Sequence, residues 1–383
     1  MHDAGPSYAT ALVIASEWIV DRAVLPDVVQ AGMRIAAADG RIVAIDQDAA
    51  GPGAVRLRGT LLPGFVDLQV NGAGGRSVDE ATPAALDAVA AAVLAGGAVA
   101  FLPTLITAPW ERLLTQVDAV ARWIEGWDGA GAEPLGLHVE GPFLQAAGAH
   151  DAAQFVDPTP ERVQQLRAAA RGRLRLVTLA HARAGAAAAV ATLTAAGVTC
   201  ALGHCDRSDG FAACIDAGAS AVTHLFNAMG ALHHRDLGPA ALALDDARVS
   251  CPLIVDGVHV DPVMVRHAFR ILGPDRTVLV SDAVAAAGMP DGDYTLSGLR
   301  VTSRGGVVRD QAGRLAGSAL TMARAAANFL RFVPTAGPWT VARVAAGNPA
   351  RLVRADGYGA IAPGRRAAFT LLGDDGAITT VRA

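Results

Sequence analysis

The sequence contains no lysine, because all 32 positions counted as Lys+Arg are arginine. A protein without a lysine amine cannot form a Schiff base through that side chain, and it cannot bridge two metal ions through a carboxylated lysine. Both kinds of chemistry are therefore excluded for this chain.

Cysteine is also scarce and carries no recognisable metal or disulfide pattern. The four cysteines are Cys200, Cys205, Cys214 and Cys251, and no two of them have Cys-x-x-Cys spacing. Neither a disulfide framework nor a thiolate zinc site is indicated. We expect four buried, reduced thiols.

Charge and long apolar runs are limited as well. Charged residues make up 18% of the chain and the net charge is -4, so no basic stripe for nucleic acid and no polybasic membrane face is expected. No run of about 18 apolar residues predicts a membrane helix, and the apolar segment 11–15 lacks the preceding basic residues of a signal peptide. We expect a cytoplasmic protein whose partner is a small molecule.

Eight apolar runs rich in β-branched residues alternate with segments of helical period between about residues 60 and 285. Capping signals such as Thr82-Pro83 precede the helical segments. The alternation favours an α/β fold with a closed (β/α)8 barrel of the TIM type, although a long open doubly wound sheet would share the pattern. The runs are 61–70, 99–106, 135–139, 174–179, 198–202, 221–225, 250–255 and 277–280.

Both ends of the chain have a different pattern. Segments 8–20, 32–45 and 359–381 predict short strands joined by tight turns. We expect residues 1–60 and 345–383 to form one small β-sandwich domain beside a barrel of residues 61–344, with a β-rich insertion near 291–316.

Metal-binding residue types stand at the ends of four of the predicted strands. Glu140, His204 and His224 supply one carboxylate and two imidazoles, which suits a single divalent ion with an open position for water. In a barrel the carboxyl ends of the strands surround one mouth, so these distant residues would converge. Asp282 ends the eighth strand and is either a general base, which we favour, or a second-layer carboxylate or turn cap.

Two amides end the first strand. Gln69 and Asn71 are two residues apart on a strand and therefore point to the same side, toward the barrel interior. Histidines at both positions would bind a second ion, but amides are weak ligands for zinc or iron. We therefore predict one divalent ion per subunit, with zinc as first choice and iron, cobalt or manganese as alternatives.

Several loop residues have two interpretations. His150, Arg235 and His259 follow predicted strands and are either solvated loop residues or part of a site for an anionic group such as phosphate. His181 ends the fourth strand and is either a ligand or a structural residue. Cys205 adjoins His204, where a thiolate near the metal stays an alternative.

Two motifs in the chain are highly specific, and five further segments accompany them in a consistent order. The specific motifs are His138-Val139-Glu140-Gly141-Pro142-Phe143 and Thr223-His224-Leu225-Phe226-Asn227-Ala228-Met229, and the other segments are 63–72, 203–204, 256–259, 281–283 and 315–322. Together they resemble the N-acetylglucosamine-6-phosphate deacetylase family of the amidohydrolase superfamily. The resemblance runs through nearly the whole chain.

The resemblance implies hydrolysis of the acetamide of N-acetylglucosamine 6-phosphate to glucosamine 6-phosphate and acetate in amino-sugar catabolism. It implies that Glu140, His204 and His224 hold the ion, that Asp282 is the base and that His150 polarises the acetyl carbonyl. It also implies a homodimer in which Arg235 reaches the phosphate in the neighbouring subunit's site. Residues implied to contact the substrate are Ala149, His150, Asn227, Ala228, Arg235, Asp256, His259, Leu315, Ala316 and Gly317.

Two segments depart from the family's pattern. The loop between Glu140 and His150 is short and lacks the usual basic residues, and Ala180-His181-Ala182 stands where Ala-Pro-Glu is common. Phosphate affinity or sugar choice is therefore open. The alternatives are a deacetylase of N-acetylgalactosamine 6-phosphate or of an N-acyl amino acid, and a noncatalytic sugar-phosphate sensor.

Overall fold

The computed structural model describes residues 12–383, which contain twenty-one strands and ten α-helices. The strands are β1 (Leu12–Ile14), β2 (Glu17–Val24), β3 (Val29–Ala38), β4 (Arg41–Asp46), β5 (Val55–Pro63), β6 (Phe65–Val70), β7 (Gly72–Ala73), β8 (Arg76–Ser77), β9 (Ala98–Ile106), β10 (Glu133–Pro134), β11 (Leu137–Glu140), β12 (Leu174–Leu179), β13 (Thr199–Leu202), β14 (Ala221–Val222), β15 (Cys251–Ile254), β16 (Thr277–Val280), β17 (Gly292–Leu296), β18 (Leu299–Arg304), β19 (Val307–Asp310), β20 (Ala368–Leu372) and β21 (Ile378–Arg382). The helices are α1 (Pro83–Ala95), α2 (Trp110–Glu125), α3 (Pro160–Ala169), α4 (Ala186–Ala195), α5 (Phe211–Asp216), α6 (Pro239–Asp245), α7 (Pro262–Arg276), α8 (Met322–Phe332), α9 (Pro338–Ala342) and α10 (Asn348–Leu352).

Eight parallel strands form the barrel. Strands β6, β9, β11, β12, β13 and β14 pair in that order, and β15 pairs with β16. Single bridges from Ala221 to Ser250 and from Val70 to Ala283 join the two sets and close the ring. Helices α1 to α8 each follow a barrel strand, so the predicted (β/α)8 barrel is confirmed.

The two chain ends form a seven-stranded sheet in the order β1-β21-β20-β5-β2-β3-β4. A bridge between Arg41 and Arg366 brings β4 back to the segment leading into β20, so the sheet curls over its own core. Trp18 and Phe369 meet edge to face in that core, with ring centroids 5.3 Å apart. A β-domain built from both ends was predicted, although residues 8–11 of its first predicted strand lie outside the described residues.

The junctions between barrel and terminal sheet differ from the predicted residues 60 and 344. The predicted strand 61–70 is two strands, because β5 continues in the terminal sheet to Pro63 and β6 starts the barrel at Phe65. At Gly64 between them, an added Cβ would lie 2.3 Å from Val99 Cγ2. Beyond residue 344, Ala345, Ala346 and Val353 pack in the barrel core instead of the terminal domain.

One element outside the barrel bears on the site. Strands β17 to β19 form an antiparallel sheet between the last barrel strand and α8, within the predicted insertion, and their apolar side chains pack on Ile106 and Val284 at the barrel mouth.

In residues 12–383, no helix has both the length and the apolar character needed to span a membrane. All four cysteines are free and buried, as predicted.

Candidate active site

Strand ends deliver the functional side chains to the barrel mouth. Glu140 is the last residue of β11, and His204, His224 and Asp282 each stand two residues beyond β13, β14 and β16. The backbone at these three residues has φ of 50°, 29° and 50°, a left-handed conformation that non-glycine residues rarely adopt. Such backbone strain is concentrated at functional sites, where it aims a side chain.

Glu140, His204 and His224 meet at one point. His204 Nε2 lies 3.2 Å from His224 Nε2 and 3.2 Å from Glu140 Oε1, and His224 Nε2 lies 3.1 Å from the same oxygen. Two ligands bound about 2.1 Å from a tetrahedral zinc ion lie ~3.4 Å apart. The three side chains therefore have the spacing of a one-metal ligand set.

The protonation of His204 supports this interpretation. Its Nδ1 lies 2.9 Å from the carbonyl oxygen of Ala146, and because a carbonyl only accepts, Nδ1 carries the proton. His204 Nε2 then points to Glu140 and His224. Burial lowers the pKa of His224, but the hydrogen bond to Glu140 outweighs burial and raises it, so the carboxylate attracts a positive charge at this point. A divalent cation bound there would supply that charge in place of a proton.

Electrostatics separate the two carboxylates of the site. Burial raises the pKa of Glu140, but hydrogen bonds and charge from His204 and His224 outweigh burial and lower it well below the usual range. The pKa of Asp282 is raised to about 6, first by burial and then by the charge of Glu140. Glu140 therefore stays ionised at all ordinary pH values, whereas Asp282 exchanges a proton near neutrality.

The predicted amides connect the carboxylates. Gln69 Nε2 donates to Glu140 Oε2 at 3.0 Å and to Asp282 Oδ1 at 3.1 Å, and Asn71 Nδ2 donates to the same Asp282 oxygen at 2.7 Å. Donation by both amides leaves Asp282 Oδ2 without these partners. Gln69 and Asn71 thus orient the aspartate, and they occupy the positions where a second set of metal ligands would stand.

A second buried aspartate, Asp67, is hydrogen-bonded to the residue before Asp282. The carboxylate of Asp67 accepts from the backbone N–H and the hydroxyl of Ser281, the residue before Asp282. Burial raises the pKa of Asp67 to about 6. Sequence reasoning did not select Asp67, although it stands on the first barrel strand two residues before Gln69 and therefore on the same side.

His150 is buried beside the ligand cluster. Its Nδ1 lies 2.8 Å from Thr107 Oγ1, and its Nε2 lies 3.8 Å from Glu140 Oε2. Burial and the neighbouring His204 lower the pKa of His150 to about 3, so the ring is neutral at ordinary pH. Glu140, His150 and His204 also offer ligand atoms within 4.8 Å of one another, but the contacts with His224 are shorter.

His259 lines the cavity, and Asp256 holds its imidazole in place. Asp256 Oδ2 lies 2.6 Å from His259 Nδ1, and Oδ1 accepts from the backbone of Val258 and His259. Asp256 does not line the cavity, and its oxygens are engaged in orienting the imidazole, so a contact with substrate stays a prediction. Pairing with His259 outweighs burial and lowers the pKa of Asp256.

The cavity at the mouth gathers most of the predicted residues but leaves out some. Gln69 and Ala316 are buried behind its wall, and Arg235 is exposed on the loop after β14. Sequence reasoning missed Ile106, Gly148 and Leu296, which are apolar or small and carry no chemical signal. The lining residues are Asn71, Ile106, Glu140, Gly148, Ala149, His150, His204, His224, Asn227, Ala228, His259, Asp282, Leu296, Leu315 and Gly317.

The alternatives for His181 and Cys205 have structural answers. His181 Nε2 lies 2.6 Å from the carbonyl oxygen of Arg207, and its ring packs edge to face on Phe211. Cys205 Sγ also points to that carbonyl oxygen, and burial raises the pKa of this thiol. Neither residue lines the cavity. Both contact the loop after β13, away from the cluster of Glu140, His204 and His224.

The fold and the cluster define a class of protein: a β/α-barrel hydrolase with a metal-binding set of strand-end imidazoles and carboxylates. The sequence model of the amidohydrolase family matches residues 60–382, and the chain belongs to that family.

Two relatives of known name are similar to most of this chain. The chain is 36% identical to the N-acetylgalactosamine-6-phosphate deacetylase of Escherichia coli O157:H7, covering 88% of this chain and 89% of that protein. It is 35% identical to the N-acetylglucosamine-6-phosphate deacetylase of Vibrio furnissii, covering 74% and 71%.

A solved structure resembles the whole chain. It is a mutant of the N-acetyl-D-glucosamine-6-phosphate deacetylase of Mycobacterium smegmatis in complex with N-acetyl-D-glucosamine-6-phosphate. The sequences are 35% identical, the TM-score is 0.89, and the match covers 94% of this chain and 96% of that one. The terminal domain and the barrel are therefore both part of the similarity.

Proposed function

We propose that this protein is a metal-dependent deacetylase that hydrolyses the acetamide of N-acetylglucosamine 6-phosphate to glucosamine 6-phosphate and acetate. The observation that carries the proposal is the convergence of Glu140, His204 and His224 within 3.2 Å, in a cavity that Asp282 also lines. Relatives that cover most of the chain act on N-acetylated amino-sugar 6-phosphates.

Glu140, His204 and His224 would hold one divalent cation, with zinc as first choice for a set of two imidazoles and one carboxylate. When bound, the cation supplies a Lewis acid that polarises the acetamide oxygen and lowers the pKa of the attacking water. Iron, cobalt and manganese suit the same ligands and are distinguished by elemental analysis.

Asp282 is proposed as the general base. Its carboxylate takes a proton from water as the water oxygen attacks the acetyl carbon, and it passes that proton to the amine nitrogen as the carbon–nitrogen bond breaks. Acetate and the amine leave. A pKa of about 6 suits both halves of this transfer, since the group must accept and then release a proton near neutral pH.

The remaining cavity residues bind and orient the substrate. Neutral His150 is anchored through Nδ1 by Thr107 and turns Nε2 toward the ligand cluster, where it would contact the acetyl carbonyl. His259, Asn227 and Ala228 line the cavity where we place the sugar phosphate.

Galactosamine is the second candidate sugar. A relative with 36% identity over 88% of this chain is an N-acetylgalactosamine-6-phosphate deacetylase, and its identity is similar to that of the glucosamine relatives. The two sugars differ in the orientation of one hydroxyl group. The family match and the intact cluster leave no feature that favours a noncatalytic sensor.

Acetate release from purified protein tests the proposal. Substrates would be the 6-phosphates of N-acetylglucosamine and N-acetylgalactosamine, both sugars without phosphate, and an N-acetyl amino acid, with metal content measured on the same sample. We expect the highest kcat/KM with N-acetylglucosamine 6-phosphate. Greater activity with the galactosamine substrate would select the second candidate, and no acetate from any phosphorylated sugar with metal bound would reject both.

We also propose a homodimer in which Arg235 binds the phosphate in the partner's site. Arg235 is exposed beyond the mouth and does not line the cavity of its own chain. It lies between Leu232 and Leu237, whose side chains are 53% and 51% exposed, and exposed apolar residues of this kind favour a contact with another chain.

The charge of the substrate bears on location. A phosphate group carries a charge of about -1.5 to -2 at pH 7 and does not cross a lipid bilayer unaided. We therefore propose that the enzyme works in the cytoplasm, where sugar phosphates are retained.

A further inference from the structure

A cationic groove lies at the end of the barrel opposite the mouth. Its volume is about 380 Å³, and its lining includes Arg41, Arg173, Arg175, Arg354 and Arg366. The acidic lining residues are Glu133 and Asp356. Five guanidinium groups therefore face two carboxylates in a protein whose net charge is -4.

Backbone pairing places like charges side by side in this groove. Arg41 and Arg366 are direct partners in an antiparallel bridge, a position where like charges are destabilising. Arg173 immediately precedes β12 and Arg175 is its second residue; both are exposed while Leu174 between them is buried, so the two arginines project to the same side. Four of the arginines thus come as two adjacent pairs.

Most of this positive charge is not neutralised within the chain. Glu133, which is half-buried, accepts from Arg366 at 2.8 Å and from the Tyr358 hydroxyl at 2.7 Å, and Arg173 lies 3.9 Å from Glu125. Arg41 and Arg175 donate to the backbone carbonyl oxygens of Gly364 and Leu135. Within residues 12–383, no ion pair joins Arg41, Arg175 or Arg354 to a carboxylate.

The groove also lies between the two domains. Arg41 and Arg366 belong to the terminal sheet, whereas Arg173, Arg175 and Arg354 belong to the barrel. Strand β12 has six residues, so the height of the barrel separates the groove from the mouth by roughly 15 to 20 Å. A ligand in the groove would contact both domains without reaching the substrate.

We infer that this groove is a binding site for a small phosphate-bearing anion, separate from the active site. Guanidinium groups match the oxygens of a phosphate group through paired hydrogen bonds, and a dianion would relieve the repulsion between Arg41 and Arg366. Because the lining comes from both domains, the bound anion bridges the terminal sheet and the barrel.

Trp127 lines the groove and supplies a local fluorescence signal for the test. Titration of the metal-loaded enzyme with pyrophosphate should give a saturable change in tryptophan emission that potassium chloride at equal ionic strength does not give. The Trp127→Phe variant should lose that change. A change that persists in Trp127→Phe comes from elsewhere and overturns the assignment, as does the lack of any saturable change in the wild type.

Arginine variants locate the ligand. The double variant Arg41→Gln/Arg175→Gln lacks two guanidinium groups. Its half-saturating pyrophosphate concentration should be at least about tenfold higher than that of the wild type. Arg167→Gln, on the exposed face of α3 outside the groove, should leave it unchanged. Equal pyrophosphate binding by the double variant and the wild type would overturn the proposal.

Thermal unfolding in potassium chloride checks that each variant is folded. If the double variant does not fold, Arg354→Gln replaces it, and pyrophosphate binding should be weakened in the same way. The measurement needs no turnover, so its outcome is independent of the proposed deacetylase activity.

Discussion

At the scale of single residues, burial and pairing give two nearby carboxylates opposite properties. Gln69 bridges Glu140 and Asp282, whose oxygens lie no more than about 6 Å apart. Two imidazoles keep Glu140 ionised, and the charge of Glu140 in turn raises the pKa of Asp282. Such a separation of pKa values supports the proposed ligand role for Glu140 and the proposed base role for Asp282.

Asp282→Asn should abolish deacetylation while leaving the metal bound. The amide keeps the size of the side chain but cannot accept a proton, so kcat should fall by at least about 10³-fold. Acetate release and elemental analysis on the same preparation check this. Asp209→Asn, at an exposed position, is the matched control and should be fully active. Near-normal turnover by Asp282→Asn would refute the base assignment.

The acid limb of the pH profile should report Asp282. The base must be ionised, and its pKa is raised to about 6, so activity is complete above that value and is lost as pH falls through it. A bound cation would add positive charge beside Asp282 and act against this rise in its pKa, so the midpoint of kcat/KM should lie at or below pH 6. Below the midpoint, kcat/KM should fall about tenfold per pH unit. A midpoint above pH 7 would contradict the prediction.

At the scale of elements, the insertion β17 to β19 supplies part of the cavity wall. Its core packs on Ile106 from β9 and on Val284 after β16, and Leu296 at the end of β17 reaches the cavity. The barrel strands thus position the proposed reacting groups, while an element outside the barrel contributes an apolar part of the cavity wall.

Leu296→Ala should therefore weaken substrate binding more than it slows chemistry. Losing the apolar contact costs about 0.5 to 1.5 kcal/mol, which corresponds to a rise in KM of about 2- to 12-fold with kcat changed less than twofold. Steady-state kinetics on the phosphorylated substrate measure both constants. Leu299→Ala in the same insertion does not line the cavity and should behave as the wild type. A fall in kcat without a change in KM would exclude a binding role for Leu296.

At the scale of the whole molecule, the proposed dimer makes each site depend on two chains. Arg235 would come from one subunit and Asp282 from the other. A dimer whose two chains both lack Arg235, or both lack Asp282, would therefore have two incomplete sites. Such shared sites follow from a symmetric dimer, in which both subunits use the same contact.

Co-expression of two inactive variants tests this arrangement. Arg235→Ala and Asp282→Asn chains, each with its own affinity tag, should form mixed dimers in which one site of two has both groups intact. Random pairing should restore about a quarter of wild-type activity per site in the unfractionated sample. Activity no higher than the sum of the separate variants would show that Arg235 acts within its own chain or not at all.

Much of the architecture follows from local pattern. Alternating apolar runs and caps such as Thr82, whose side chain accepts from Ala85 N–H, predict the barrel and its helices because periodicity and capping act over a few residues. The junction near Gly64 could not be found in this way, because one apolar run serves two sheets there. Leu296 and Ile106 were missed for a related reason: apolar side chains look alike in the core and in a cavity wall.

The sequence by itself determined which chemistry is available: arginine without lysine, free thiols, and metal-binding side chains at strand ends. Tertiary structure alone decided how these groups are used, because contact and burial arise between residues far apart in the chain. It turned Asp256 toward His259, assigned His181 and Cys205 to a loop, and gathered five arginines at the far end of the barrel. Residue identity fixes what a side chain can donate or accept, and only the fold fixes what it meets.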